Sequence, residues 1–190
     1  MGQVRIIGGI WKRSLLKVVD RPGLRPTPDR VRETLFNWIE SWADLPLADS
    51  RVCDAFAGTG ALAFEAASRG AQQVLALESD SQAADQIRAA IERLCATNLE
   101  VRRTDAMAFL AQQPANRFDL IFLDPPFQKN LLGAALAASR ACLSPKGLVH
   151  VEGERPWTEL VDPSQQAGWV ERRSAKAGAV HHALLSLEPE

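Results

Sequence analysis

One short segment holds the residues with the clearest chemical potential: Asp124, Pro125, Pro126 and Phe127. It follows an apolar run at residues 120–123 that is typical of a fully buried strand, and the prolines end that strand because neither can donate to a sheet. The Asp124 carboxylate and the Pro125 carbonyl could accept both N–H groups of an exocyclic amine. Phe127 could stack on the flat base that carries this amine, and Asp124 could take the released proton. The segment therefore predicts chemistry on the amino group of a base, such as methyl transfer.

A glycine-rich turn follows an earlier predicted strand and contains Asp54, Phe56, Gly58 and Gly60. Glycines between a strand and a helix let a ligand approach the backbone closely. The spacing of Gly58, Gly60 and Ala63 also fits a loose dinucleotide fingerprint, so the glycines alone leave a nicotinamide cofactor open. Asp54 favours another ligand, because a carboxylate repels a pyrophosphate but suits the ammonium and sulfonium groups of S-adenosylmethionine. We interpret Asp54, Phe56, Gly58 and Gly60 as cofactor contacts.

Two further carboxylates follow the next two predicted strands. Glu78 ends one of them and could accept both ribose hydroxyls of a nucleoside cofactor. Asp105 follows the other, directly before Ala106, and could accept an adenine amino group while the neighbouring backbone contacts the ring. Asp105 could equally be a helix N-cap. One ligand-type residue after each of four successive strands is more specific than any single member of the set.

Strands and helices alternate through most of the chain, and the candidate residues lie where the strands end. The predicted strands cover residues 51–56, 73–77, 99–103, 118–123, 148–151, 169–172 and 179–187. The predicted helices of this region cover residues 61–69, 83–94, 106–112 and 131–143. This alternation implies right-handed crossovers and a mainly parallel sheet. We predict an α/β fold with a seven-stranded, mainly parallel sheet whose last strand is antiparallel.

The first 32 residues are basic, although the chain of 190 residues has a net charge of −1. They contain eight Lys or Arg residues against two Asp residues. We predict a β-hairpin at residues 4–19, then a loop, then a helix with Thr27 as its N-cap and Pro28 as its first residue. Such a basic region is typical of polyanion-binding proteins, and a solvated charged surface is the alternative. The candidate nucleic-acid contacts are Arg5, Lys12, Arg13, Arg25, Arg30 and Arg32.

Composition excludes several other classes of protein. Hydrophobic residues make up 46% and charged residues 24%, as in ordinary globular domains. No apolar run approaches the roughly 20 residues that span a membrane, and the first residues lack the apolar region of a signal peptide. The three cysteines and three histidines lack metal-ligand spacing. We therefore expect a cytoplasmic protein with reduced thiols and no metal site.

The whole chain resembles the bacterial small-subunit rRNA (guanine-N2)-methyltransferases of the RsmD type. The resemblance rests on residues 5–9, 23–27, 29–38, 54–62 and 124–127. Many amino-methyltransferases share the last two segments, whereas the Arg-Pro-Thr and Asp-Arg-Val-Arg-Glu stretches narrow the match to this family. It implies a Rossmann-like class I methyltransferase fold, S-adenosylmethionine as cofactor and an N-terminal extension that grips RNA. It also implies methylation of N2 of one guanine of 16S rRNA, in the 30S subunit or an assembly intermediate.

Two segments are predicted from the resemblance and the charge distribution. Residues 1–28 form a basic RNA-binding hairpin and loop, and residues 29–190 form the methyltransferase domain of an expected monomer. Three alternatives stay open. The chain could methylate adenine N6 or cytosine N4 in DNA or another RNA, it could bind NAD(P) through the glycine turn, or it could be a non-catalytic assembly factor.

Overall fold

The computed structural model describes residues 2–18, 27–126 and 131–188. Its N-terminal elements are β1 (Gln3–Arg5), β2 (Leu15–Lys17), α1 (Asp29–Glu40), β3 (Arg51–Asp54), α2 (Ala61–Ser68), β4 (Gln73–Glu78), α3 (Ser81–Leu94) and β5 (Leu99–Arg103). The later elements are α4 (Ala106–Leu110), β6 (Phe118–Leu123), α5 (Leu132–Cys142), β7 (Leu143–Gly153), α6 (Trp157–Leu160), α7 (Pro163–Gln166), β8 (Trp169–Ala177) and β9 (Val180–Leu187). No helix among these is long and apolar enough to cross a membrane.

Seven of the described strands form one sheet in the order β5-β4-β3-β6-β7-β9-β8. Neighbours from β5 to β7 pair in parallel, whereas β9 is antiparallel to both β7 and β8. The predicted sheet, with its antiparallel last strand, is confirmed. The strand order reverses between β3 and β6, and ligands of open α/β folds bind in the crevice at such a point.

Helices cover both faces of the sheet, which explains the long apolar runs of its central strands. On one face α1, α2 and α3 pack over a core that includes Phe36, Phe64 and Ile87. On the other face α4, α5 and α6 pack over a core that includes Leu136 and Trp157. Residues 120–123 of β6 are fully buried between these two cores, as the sequence predicts.

The N-terminal hairpin is confirmed and is fixed to α2. Strands β1 and β2 pair antiparallel, and Ile6 is buried in the core that α2 also lines. The carboxylate of Glu65 on α2 accepts the backbone N–H groups of Ile7 (2.8 Å) and Gly8 (2.7 Å). Ser68, at the end of α2, donates its hydroxyl to the Gly8 carbonyl over 2.7 Å. The hairpin and α2 are therefore joined by hydrogen bonds as well as by apolar packing.

Several boundaries differ from the sequence prediction. Helix α1 begins at Asp29, because Pro28 has an extended conformation (φ −57°, ψ 147°) and occupies the N-cap position without a side-chain cap. Thr27 is therefore not the N-cap, and its side chain lies beside the Glu152 carboxyl, where it acts to lower the pKa of that group. Strand β7 extends well beyond the predicted residues 148–151. The short helices α6 and α7 were not predicted, since four residues are too few for a helical pattern to be visible.

Candidate functional site

Four carboxylates meet at one edge of the sheet. Asp54 and Glu78 end β3 and β4, Asp124 follows β6, and Glu152 lies near the end of β7. Because these strands are parallel, their carboxyl ends lie together at the switch point of the sheet. We call these four residues the acidic edge. The structure thus brings together three residues that the sequence singled out and one that it did not.

The glycine turn after β3 has the backbone shape that only glycine adopts readily. Gly58 and Gly60 have φ values of 54° and 75°, in the left-handed region. A Cβ atom at Gly60 would lie 3.1 Å from a carbon of Ile87 and 3.2 Å from the ring of Phe64. The turn therefore presents bare backbone at the start of α2, with Phe56 half-buried beside it.

Asp54 is a buried carboxylate held by backbone donors. It is 3% exposed, and its Oδ2 atom accepts the N–H of Ala63 over 3.1 Å. Burial raises the pKa of Asp54 to about 7, and the nearby charges of Asp124 and Glu78 act in the same direction. A cation bound here would stabilise the ionised form, which favours a ligand with an ammonium group.

Glu78 connects β4 to the glycine turn. One carboxylate oxygen accepts the Gly58 N–H and the other accepts the Asp80 N–H, both over 2.7 Å. Each carboxylate oxygen has about two acceptor sites, so these bonds leave capacity for two hydroxyl donors. Glu78 can thus shape the turn and still accept ribose hydroxyls.

Asp105 is the N-cap of α4, which was the alternative interpretation of this residue. Its Oδ1 atom accepts the N–H of Ala108 over 2.8 Å, in an exposed setting. Ala106, the first residue of α4, is buried. The cap fixes the orientation of the Asp105 carboxylate beside the third strand end, and contact with an adenine stays a prediction.

Asp124 and Pro125 lie directly after β6. Asp124 is partly exposed and Pro125 is buried. Burial raises the pKa of the Asp124 carboxyl to about 7, so it is poised to exchange a proton near neutral pH. Pro126 is exposed, and Phe127 lies outside the described residues. The described part of the segment therefore offers a carboxylate and a fixed carbonyl at the switch point.

Glu152 was missed by the sequence analysis. The predicted strand ended at residue 151, so this carboxylate was not recognised as another strand-end residue. Leu123 pairs with Val151 across β6 and β7, which makes Asp124 and Glu152 neighbours. Glu152 is 3% exposed, and burial together with the charge of Asp124 raises its pKa well above the usual value. Glu152 directly follows the predicted strand, so the rule that identified Asp124 after residue 123 would also have identified Glu152.

The acidic edge fits a cationic nucleoside cofactor. Within the described residues, neither Asp54 nor Asp124 forms an ion pair with a Lys or Arg side chain. A buried carboxylate without a cation, such as Asp54, is costly, and a ligand that brings positive charge would relieve that cost. The bare backbone at Gly58 and Gly60 allows such a ligand to approach closely. This donor set suits S-adenosylmethionine better than a pyrophosphate.

The six candidate RNA-binding cations have different environments. Lys12, Arg13 and Arg30 are exposed, and Arg5 is exposed but hydrogen-bonded through Nε to Asp29 over 2.7 Å. Arg25 lies outside the described residues.

Arg32 requires a correction, because its side chain is fully buried. It donates to Asp29 over 2.5 Å and to the Arg5 carbonyl over 2.9 Å, and it lies 3.8 Å from Glu65. The prediction that Arg32 contacts RNA is wrong, since its position on the inner face of α1 directs the guanidinium into the protein. Arg32 instead connects α1 to β1 and α2.

Comparison with known proteins identifies relatives along the whole chain. The family described as "Conserved hypothetical protein 95" matches residues 4–186. The chain is 40% identical over 191 residues to "Ribosomal RNA small subunit methyltransferase D" of Escherichia coli strain K12, covering 100% of this chain and 92% of that protein. It is 40% identical over 191 residues to the protein of the same name from Haemophilus influenzae, covering 96% and 93% of the two chains.

A solved structure supports the same relationship. The yhhF protein of Escherichia coli superimposes on this chain with a TM-score of 0.83 and 38% sequence identity, and the match covers all of both chains. The hairpin, the sheet and the strand ends of the acidic edge therefore all lie within the region of similarity.

Proposed function

This chain belongs to the ribosomal RNA small subunit methyltransferase D family, and from that membership we propose its reaction. It transfers a methyl group from S-adenosylmethionine to the exocyclic N2 amine of one guanine in 16S rRNA. The observation that carries this proposal is the pair of Asp124 and Pro125 at the switch point, beside the glycine turn. A carboxylate and a carbonyl at that place are the acceptors that an amino group requires.

Asp54, Phe56, Gly58, Gly60, Glu78, Asp105 and Ala106 would hold the cofactor. When bound, S-adenosylmethionine supplies an electrophilic methyl group on a sulfonium centre. Asp54 would bind the ammonium end, Glu78 the ribose hydroxyls, and Asp105 with Ala106 the adenine. The bond between Glu78 and Gly58 keeps the turn in shape before the ligand arrives, so little reorganisation accompanies binding.

Asp124 and Pro125 would act on the amine of the target base. Their two acceptor oxygens bind its two N–H groups, which favours a more pyramidal nitrogen whose lone pair is less delocalised into the ring and can attack the methyl group. The Asp124 carboxylate can then take the proton that the nitrogen loses, since its pKa of about 7 allows both states near neutral pH. Holding the amine in line with the methyl donor contributes several kcal/mol through pre-paid orientation. Pro126 would stiffen the segment, and Phe127 would stack on the extruded base.

The exposed cations of the N-terminal region would bind the RNA backbone. Lys12 and Arg13 lie in the turn of the hairpin, and Arg30 lies at the start of α1. Arg5 and Arg25 belong to the same basic region of the sequence. We expect the substrate to be 16S rRNA within a 30S particle or an assembly intermediate, the protein to act as a monomer, and the reaction to take place in the cytoplasm.

Methyl transfer to 30S particles and to free 16S rRNA from cells that lack the enzyme tests this proposal. We expect labelled N2-methylguanosine at one position after nucleoside analysis. The Asp124→Ala variant should lose turnover while it binds S-adenosylhomocysteine nearly as the wild type does. N6-methyladenosine or N4-methylcytidine as product would contradict the guanine assignment, and no transfer by the wild type would favour a non-catalytic factor.

A further inference from the structure

Two large apolar side chains are exposed in the described part of the chain, and both belong to the basic N-terminal hairpin. Ile10 is 79% exposed in its turn, and Leu15 is 47% exposed on β2. Single exposed apolar side chains are ordinary on protein surfaces. Ile10 differs because Lys12 and Arg13 follow it in the same turn and are both exposed. We call residues 9–14 the hairpin turn, and it presents one isoleucine and two cations to the solvent.

The hairpin turn is held against the end of α2, so its backbone is in place before any ligand arrives. The N–H of Ile10 donates to the Ser68 carbonyl over 2.8 Å, and the N–H of Trp11 donates to the Ser68 hydroxyl over 2.9 Å. Gly9 (φ 72°) approaches Ser68 so closely that a Cβ atom there would lie 1.9 Å from its carbonyl oxygen. The rings of Trp11 and Phe64 pack edge to face with their centroids 6.4 Å apart. Because the backbone is already fixed, little of its freedom is lost when the turn binds a partner.

The backbone at Arg13 has a conformation that glycine would adopt at lower cost. Its φ is 74°, in the left-handed region, where a Cβ atom is disfavoured. Its N–H donates to the Ile6 carbonyl over 2.8 Å, and this bond keeps Arg13 in that conformation. Neither Arg13 nor Lys12 forms an ion pair within the described residues, so no such partner explains the two charges. An unfavourable backbone conformation at an exposed arginine points to a use for its side chain.

The hairpin turn lies away from the proposed site of methyl transfer. Helix α2 begins directly after the glycine turn, at the carboxyl end of β3. Because β3 and β4 are parallel neighbours, α2 must run back along the sheet toward the amino ends of the strands. The hairpin turn is fixed to Ser68 at the far end of this helix, which has eight residues and is about 12 Å long. RNA bound at the hairpin turn is therefore not the target nucleotide itself.

We propose that the hairpin turn is a second RNA contact, in which Ile10 packs against an unpaired base while Lys12 and Arg13 bind the flanking phosphates. The inference rests on the proposed function and adds a recognition element remote from the target guanine. A regular RNA duplex displays 2′-hydroxyl groups in its shallow minor groove, which an isoleucine would desolvate without pairing. Unpaired bases of loops and bulges expose flat faces that an apolar side chain can cover. The three exposed side chains therefore match a loop or bulge better than a regular duplex.

Filter binding of naked 16S rRNA across a salt series separates the apolar contact from the ionic one. Ile10→Ser should bind about tenfold more weakly with an unchanged slope of log K against log salt concentration, because an isoleucine releases no counterions. Arg13→Gly should reduce this slope by about one unit, yet it should melt at a temperature no lower than the wild type, because glycine relieves the left-handed backbone. Leu15→Ser, which changes the other exposed apolar side chain, is the matched control and should bind as the wild type does. Wild-type affinity in Ile10→Ser would overturn the inference.

Cross-linking to 30S particles identifies what the hairpin turn touches. Cys95 is the exposed cysteine of the described residues, whereas Cys53 and Cys142 are buried. A photoreactive tag is therefore placed on Ile10→Cys in a Cys95→Ser background, and the same tag on Cys95 of the otherwise unchanged protein is the control. We expect Ile10→Cys to cross-link to an unpaired rRNA nucleotide other than the methylated guanine, and the control to give no such product. A cross-link to a ribosomal protein, to the methylated guanine or to a regular duplex would overturn the inference.

Failure of the proposed function would look different from failure of this inference. In the first case the wild type would produce no N2-methylguanosine, while the affinity and the cross-link at the hairpin turn would still be measured. In the second case N2-methylguanosine would form, and neither measurement would respond to residue 10.

Discussion

The carboxylate of Glu78 accepts the backbone N–H of Gly58 over 2.7 Å, and this bond joins the end of β4 to the turn that follows β3. The other carboxylate oxygen accepts the N–H of Asp80 at the same distance. Two donors from different segments therefore meet on one side chain. Glu78, which the sequence predicted only as an acceptor of ribose hydroxyls, therefore also holds the glycine turn in place.

Replacement of Glu78 by glutamine should weaken cofactor binding. The amide has one acceptor oxygen, so its NH2 group would face one of the two backbone N–H donors. This mismatch should cost about 1–3 kcal/mol, or a tenfold to hundredfold weaker affinity for S-adenosylhomocysteine in calorimetry. Glu100→Gln, an exposed change on β5, should bind as the wild type does. Equal affinity in Glu78→Gln would show that the turn does not depend on this bond.

The rate of methyl transfer should depend on the ionisation of Asp124. With saturating cofactor, its ammonium group keeps Asp54 ionised, so the single-turnover rate reports mainly on Asp124. We expect the rate to rise between about pH 6 and pH 8 with an apparent pKa of about 7. Asp124→Asn should be much slower, with a flat profile over the same range. A variant profile that keeps the wild-type slope would assign the titration to another group.

The free energy of unfolding should fall as the pH rises, whereas the rate of methyl transfer should rise. The pKa of Asp124 is about 7 in the folded protein and about 3.9 in an unfolded chain, so the folded state holds the proton more tightly. This favourable contribution is fully present below about pH 4 and is lost as the pH rises through 7. Asp124→Asn should therefore raise the free energy of unfolding at pH 8 by roughly 1–3 kcal/mol, and by less at pH 5. Urea denaturation at both pH values measures the difference, and a destabilised variant at pH 8 would contradict it.

Loss of the Glu65 carboxylate should release the hairpin. Glu65 is fully buried, and it accepts the N–H groups of Ile7 and Gly8 and pairs with Arg69 over 2.9 Å. Breaking one side of a buried pair costs about 3–5 kcal/mol. Glu65→Ala should lower the free energy of unfolding by that amount and speed hydrogen exchange at the Ile7 and Gly8 amides.

An exposed ion pair provides the comparison for Glu65. Asp85 pairs with Arg88 on the surface of α3, and Asp85→Asn should change stability by no more than about 1 kcal/mol. If Glu65→Ala and Asp85→Asn were equally stable, the attachment of the hairpin to α2 would not depend on the Glu65 carboxylate.

Neutralising the exposed cations should weaken RNA binding in a salt-dependent way. Removing one cation that binds a phosphate should reduce the slope of log K against log salt concentration by about one unit. We expect this for Lys12→Gln, Arg13→Gln and Arg30→Gln. Arg88→Gln, another exposed helical arginine, is the matched control. Filter binding of 16S rRNA across a salt series measures the slopes, and unchanged slopes in the first three variants would remove this surface from the RNA interface.

The sheet could be predicted because its strands are short apolar runs separated by turn residues. Residues 118–123 are both predicted and observed as a strand, since burial on both faces leaves a nearly unbroken apolar signal. The N-terminal end of α1 was predicted one residue early, because a proline fits both the N-cap and the first helical position. Sequence could not settle that choice, because only ψ of Pro28, which is 147°, excludes it from the helix, and φ of a proline is the same in both cases.

The buried ionic groups were harder to predict than the strands. Arg32 was taken for a surface cation because of its charge, yet it shares a helix face with the buried Phe36 and Ile39 at spacings of four and seven. That pattern was visible in the sequence, but burial of an arginine also requires partners such as the Arg5 carbonyl and Glu65, which only the fold brings to it. The candidate cofactor residues were easier to predict, because the carboxyl ends of parallel strands all lie at one edge of the sheet.

Helix α2 limits which segments can be exchanged between this chain and its relatives. Its first residue follows Gly60 of the turn, and its last residue, Ser68, holds the hairpin at Gly8. A helix of eight residues is only about 12 Å long, so the hairpin and the turn are fixed to the two ends of one short rod. A hairpin transplanted from a relative to change RNA preference would therefore have to bring Glu65 and Ser68 with it. Grafts that stop at residue 28 would divide this joint and leave a buried carboxylate facing the wrong backbone.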